Sequence, residues 1–115
     1  MNFLLRILVT GLVAYGLAEI LRGIHVDSVT TALLFALVLA LLNVLVKPLL
    51  ILFTLPLTII TFGLFLFIVN ALVVLLASRF VSGFSIDNFW WGLLFSLLLS
   101  IIVSILFKEK DRDDD

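Results

Sequence analysis

Asn43 and Asn70 are the two strongly polar side chains deep in the apolar stretches of this chain, and Lys47 follows one turn after Asn43. Asn43 and Lys47 are four residues apart, so on a helix they share one face. Asn70 falls in the following apolar stretch, where an antiparallel neighbour would carry its carboxamide to a similar depth. Two roles fit. The carboxamides can bond to each other as helix–helix glue, a contact of ~0.6–2 kcal/mol. Alternatively Asn43, Lys47 and Asn70, joined by Thr58 and Thr61, line a small polar pocket open to the cytoplasm. Lys47 would then attract an anion or a lipid headgroup.

The remaining ionisable groups suggest less. Glu19 and Arg22 stand three residues apart and can pair on one helix face at a membrane boundary. Glu19 is otherwise a candidate proton or cation site of the kind small transporters use. His25 is the only histidine and lies in a short polar segment without metal-ligating company. With no cysteine there is no disulfide framework, thiolate metal site or cysteine nucleophile. No nucleophile has a credible base, and no glycine-rich phosphate loop or basic nucleic-acid face is present. The sequence therefore points to a protein that is not an enzyme, with no cofactor and no nucleic-acid partner.

The elements that must position these groups follow from composition. Residues 48–78 hold no ionisable side chain, a run of 31 in a chain of 115. Hydrophobic residues make up 64% and charged ones 13%, against roughly 45–50% and about 25% in soluble domains. So small a domain would leave much of that surface in water. The expected medium, and principal partner, is a lipid bilayer.

A helix needs about 20 apolar residues to cross it, and four stretches qualify: about 3–21, 28–46, 57–78 and 89–107. The first is too long for the apolar core of a cleavable signal, roughly 7–15 residues, and reads as a retained span. The expected fold is all-α and polytopic. Residues 1–107 form one domain of four transmembrane helices, and 108–115 form a charged cytoplasmic tail. Between the second and third spans, residues 48–56 are bounded by Pro48 and Pro56. One reading makes them a short interfacial or re-entrant helix after a break at Lys47–Pro48, since proline suits a first turn. The other carries the second helix through a Pro48 kink and leaves Lys47 in the hydrocarbon.

With four spans, Arg6, Lys47, Lys108, Lys110 and Arg112 share one side, and Arg22 and Arg79 lie on the other. The excess places both termini in the cytoplasm. The aromatic-rich 80–91 loop suits an interfacial anchor, and Asp87–Asn88 offers a cap for the last helix. Small residues recur every fourth position: Thr10, Ala14 and Ala18; Ser28, Ala32, Ala36 and Ala40; Gly92, Ser96, Ser100 and Ser104. Such rows let helix backbones approach closely, within one subunit or between copies, and the serine row could also line a narrow polar pore.

The order Asn43-x-x-x-Lys47-Pro48, then Pro56-x-x-x-x-Thr61-x-Gly63, then Asn70, then Gly83-Phe84 resembles small bacterial four-span proteins of phage-holin family 4, superfamily IV. The resemblance covers nearly the whole chain, with Gly92 after the double tryptophan as a departure. It implies an integral protein of the bacterial cytoplasmic (inner) membrane, without an assigned activity, in some members set among envelope-stress genes. It carries over no catalytic or ligand-binding residue. The expected function is a structural or envelope-associated membrane component that forms homo-oligomers through its small-residue faces and meets envelope-protein partners. The alternatives are a holin-like oligomeric pore or a small transporter.

Overall fold

Helix is the conformation that long apolar stretches must take in lipid, because it satisfies backbone N–H and C=O groups within one segment. The computed structural model describes residues 3–113, with side chains as far as Lys108. The chain runs α1 (Phe3–Ile20), β1 (Ile24–Val26), α2 (Val29–Leu45), α3 (Lys47–Phe53), α4 (Leu55–Ile60), α5 (Phe65–Arg79), β2 (Phe84–Ile86) and α6 (Phe89–Asp113). Helices α1 and α6 are each long and apolar enough to cross a membrane. Helices α2 and α3, bent by 45° at a break, reach that length together, and α5 is a shorter apolar helix of 15 residues. Helix α6 runs on past residue 107 into the charged tail, whose side chains from Glu109 onward lie outside the described residues.

The breaks have local causes. Helix α2 stops at Leu45, and Pro48 occupies the first turn of α3, where its missing N–H leaves nothing unsatisfied. Pro56 does the same for α4, so the segment between the prolines and beyond forms two short helices instead of one. The expected unbroken helix over 57–78 is corrected here. Helix α4 ends with Gly63 N donating to Thr58 O at 2.8 Å and Phe62 N donating to Ile59 O at 3.1 Å. This is the paired closure of a helix end that needs a left-handed residue. Phe62 (φ 56) and Gly63 (φ 88) supply that backbone. Thr61 Oγ1 then accepts from Phe65 N at 3.0 Å and starts α5.

The helical expectation holds, with one addition. The segments after α1 and α5 form an antiparallel two-stranded ribbon pairing Ile24 with Ile86, His25 with Ser85 and Val26 with Phe84. The ribbon exposes an internal repeat. Shifting the chain by 60 residues superposes Gly23 on Gly83, Asp27 on Asp87 and Phe35 on Phe95. The bonds obey the same shift: Asp27 N donates to Gly83 O at 3.0 Å, and Asp87 N donates to Gly23 O at 2.9 Å. So do the helix caps. Ser28 Oγ accepts from Thr31 N at 3.2 Å, and Asn88 Oδ1 accepts from Trp91 N at 3.0 Å. The molecule is thus two hairpins, α1–β1–α2 and α5–β2–α6, with both turns at one end. An approximate two-fold axis passes through the His25–Ser85 pair and along the bundle. Helix α1 packs on α2, α5 on α6, and the hairpins meet through α1 with α6 and α2 with α5.

Beneath the ribbon the hairpins close on aromatic rings. Phe35 and Phe84 stack with centroids 4.0 Å apart, and Phe95 meets both edge-on at 5.9 Å. All three are buried. The small-residue rows work inside the single chain. Ala32, Ala36, Gly92 and Ser96 are buried, and a Cβ on Gly92 would stand 2.9 Å from Leu75 Cδ2. Those four positions are occupied by packing within the chain, one of the two uses the rows allow.

Candidate functional site

Away from the ribbon the helices part around a cavity of about 360 Å³. The two repeats contribute matched positions to its wall: Thr10 and Asn70, Ala36 and Ser96, Leu39 and Leu99, Ala40 and Ser100, Asn43 and Val103, Val44 and Ser104. The cavity therefore lies on the approximate two-fold axis. Arg6 and Lys47 join the wall, and among the described residues no carboxylate does. Phe3, Arg6, Val44 and Ser104, near the helix ends remote from the ribbon, are exposed and mark the mouth. At the other end the Phe35, Phe84 and Phe95 cluster lies beyond Ala36 and Ser96, the wall residues of α2 and α6 nearest the ribbon.

A line of hydrogen bonds crosses this space. Lys47 Nζ donates to Asn70 Oδ1 at 3.0 Å. Asn70 Nδ2 donates to Ser100 Oγ at 2.9 Å and reaches Ser96 O at 3.5 Å. Three helices, α3, α5 and α6, are tied by one carboxamide. The bend at Val46 makes this possible, because it turns α3 toward α5 and brings Lys47 to Asn70. Arg6, on the first turn of α1, lies with its guanidinium carbon 5.4 Å from the centre of the Phe107 ring. Such a contact contributes about 0.5–1 kcal/mol at an exposed site and fixes the guanidinium plane.

Of the five residues expected to form a polar pocket, Asn43, Lys47 and Asn70 line the cavity. The expected carboxamide pair does not form, since Asn70 bonds to Lys47 and Ser100 instead of Asn43. Thr58 and Thr61 stand apart from the cavity. Their hydroxyls donate back to Thr54 O at 3.0 Å and Leu57 O at 2.9 Å, the usual habit of threonine in an apolar helix. The packing rows divide in the same way. Ala36, Ala40, Ser96, Ser100 and Ser104 reach the cavity wall, whereas Ala32 and Gly92 pack above it. Ser96 Oγ donates to its own helix at Leu93 O, 3.0 Å away.

At the ribbon end Glu19 and Arg22 are both exposed and form no pair with each other. There His25 Nε2 is hydrogen-bonded to Asp87 Oδ1 at 2.9 Å, between the two turns. Among the described residues no group of three histidine or acidic side chains is placed to hold a metal. Trp90 is exposed, but Trp91 covers Gly23, whose missing Cβ leaves room for the indole. Sequence reasoning missed Arg6 as a site residue because it was weighed only as a topological charge. The repeat was the signal that could have found it, since the shift places the first turn of α1 opposite the start of α5.

Fold and site together define a small helical membrane protein with a polar cavity enclosed between two repeated hairpins. The family described as Mycobacterial 4 TMS phage holin, superfamily IV, matches residues 1–105, and the chain belongs to it. The uncharacterized membrane protein YvlD of Bacillus subtilis is 41% identical over 103 residues, covering 89% of this chain and 87% of that protein. The uncharacterized protein SCO3922 of Streptomyces coelicolor is 40% identical over 80 residues, covering 66% of this chain and 64% of that one. No solved structure matches. The relatives carry no assigned activity.

Proposed function

We propose that the chain is a non-enzymatic structural component of the bacterial cytoplasmic (inner) membrane, associated with the cell envelope and crossing the bilayer four times. The spans are α1, α2, α5 and α6, with α3 and α4 lying at the cytoplasmic interface and both termini in the cytoplasm. What supports the orientation is the side on which cations fall. Arg6, Lys47 and Lys108 lie at the end remote from the ribbon, and Arg22 and Arg79 lie at the ribbon end. In this reading the ribbon faces outward and the cavity opens to the cytoplasm.

The observation that carries the structural role is the aromatic cluster beyond the cavity. Three packed aromatic rings stand between the cavity and the ribbon, and this supports a single chain that does not conduct. Self-association and envelope partners would use the outward apolar faces of the helices, because Ala32, Ala36, Gly92 and Ser96 are already buried. Inducible expression with a membrane-potential dye tests this reading. A maintained potential supports it, and depolarisation at modest expression overturns it. The second reading, a holin-like pore built from several copies, draws on the family description and on the Ser100 and Ser104 hydroxyls in the cavity. If it holds, Ser100→Leu with Ser104→Leu abolishes the depolarisation.

A further inference from the structure

We infer that the cavity is a binding site for an anionic phosphate group, held by Arg6 and Lys47. The hydrogen bonds all run in one direction. Lys47 donates to Asn70, and Asn70 donates to Ser100. Ser100 thus accepts at its oxygen and keeps its own proton for another acceptor. Lys47 has three donors and spends one on Asn70. Arg6 lies with its guanidinium carbon 5.4 Å from the Phe107 ring centre, and its five N–H donors suit a planar or tetrahedral oxyanion. A site of surplus donors, with no carboxylate in its wall among the described residues, calls for a ligand made of acceptors. Phosphate presents three or four of them.

Size and polarity narrow the class further. About 360 Å³ is far more than a halide fills and suits a small ligand or headgroup. Leu39, Leu99 and Val103 line the same recess, so the group bound there has apolar atoms beside its charge. An anionic phospholipid headgroup and a free phosphate compound share this chemistry. The inference goes beyond the structural role proposed above and depends on the topology only for naming the leaflet.

The test uses the full chain, purified in neutral detergent and stripped of lipid, with thermal unfolding as the readout. Phosphatidylglycerol, phosphatidylcholine and inorganic phosphate are titrated separately. A rise in the unfolding midpoint with phosphatidylglycerol and not with phosphatidylcholine supports a lipid headgroup. An equal rise with inorganic phosphate alone supports a soluble phosphate as the source. Arg6→Gln should weaken the apparent affinity about tenfold, the cost of one charge-assisted hydrogen-bond pair. Lys108→Gln, an exposed cation outside the cavity, should leave it unchanged. Because Lys47 variants also lose the Asn70 tie, Ser104→Leu serves as a second probe that fills the mouth without touching a charge. The same rise with phosphatidylcholine, no rise with any ligand, or a rise that persists in both Arg6→Gln and Ser104→Leu overturns the proposal. Loss of affinity here with no depolarisation in cells leaves the structural role standing, so the two can fail separately.

Discussion

At the ribbon end of the bundle, Gly83 lets its turn lie against Asp27, Gly23 makes room for Trp91, and Phe35, Phe84 and Phe95 fill the space beneath. At the opposite end the same four helices stay apart around Arg6, Lys47, Asn70 and Ser100. The first end is nearly symmetric: the Asp27–Gly83 bond and the Ser28 cap have counterparts 60 residues away, although the His25–Asp87 pair has none. The second is symmetric in backbone position and asymmetric in chemistry. Thr10 answers Asn70, Ala40 answers Ser100, and Asn43 answers Val103. Repetition supplies the frame at one end, and divergence between the repeats supplies polar groups at the other. Since lipid is as apolar as leucine, neither end is held by hydrophobicity alone.

The contrast predicts unequal costs of mutation, measured by reversible unfolding in mixed detergent micelles. Phe95→Ala, which opens a hole in the three-ring cluster, should cost ~3–5 kcal/mol, and Phe35→Ala should cost nearly as much. Gly83→Ala should follow at ~1–3 kcal/mol. Its φ of +89 already strains an alanine, and the new Cβ would also stand 3.0 Å from Asp27 Cγ. Gly63→Ala, at φ +88 with open space around it, should cost less than Gly83→Ala; an equal cost would remove the close approach at the ribbon.

At the open end the effects are smaller. Asn70→Leu, which cuts the ties to Lys47 and Ser100, should cost ~0.6–2 kcal/mol. Ser28→Ala and Asn88→Ala remove corresponding caps and should each cost about 1 kcal/mol. A large difference between those two would break the symmetry claimed for the ribbon end. Glu19→Gln should change neither stability nor any proton-coupled flux, because this exposed carboxylate has no ion-pair partner among the described residues.

The sequence makes some of this plain and hides the rest for physical reasons. Polar punctuation marks the ends of α1 and α2 and the start of α6, at Glu19 with Arg22, Lys47 with Pro48, and Asp87 with Asn88. The break at Phe62–Gly63 was hidden because Phe62 is an apolar residue in a left-handed position, where hydropathy carries no backbone information. The strands were hidden because Ile24–Val26 and Phe84–Ile86 are each three residues long, too short for an alternation to register. Only the recurrence of glycine and aspartate at the same offset marks them as partners. In the cavity, Asn43, Lys47 and Asn70 could be grouped from polarity and spacing. Thr58 and Thr61 could not be told from them, because a threonine hydroxyl bonded to its own helix looks identical in sequence.

The chain has no native cysteine, so single cysteines report accessibility without background. In intact cells and inverted vesicles, Ser104→Cys should react with a membrane-impermeant thiol reagent from the cytoplasmic face alone, and Phe95→Cys should react from neither. Labelling of Ser104→Cys from the outside, or of Phe95→Cys from either side, would contradict a bundle closed at its ribbon and open at its cationic end.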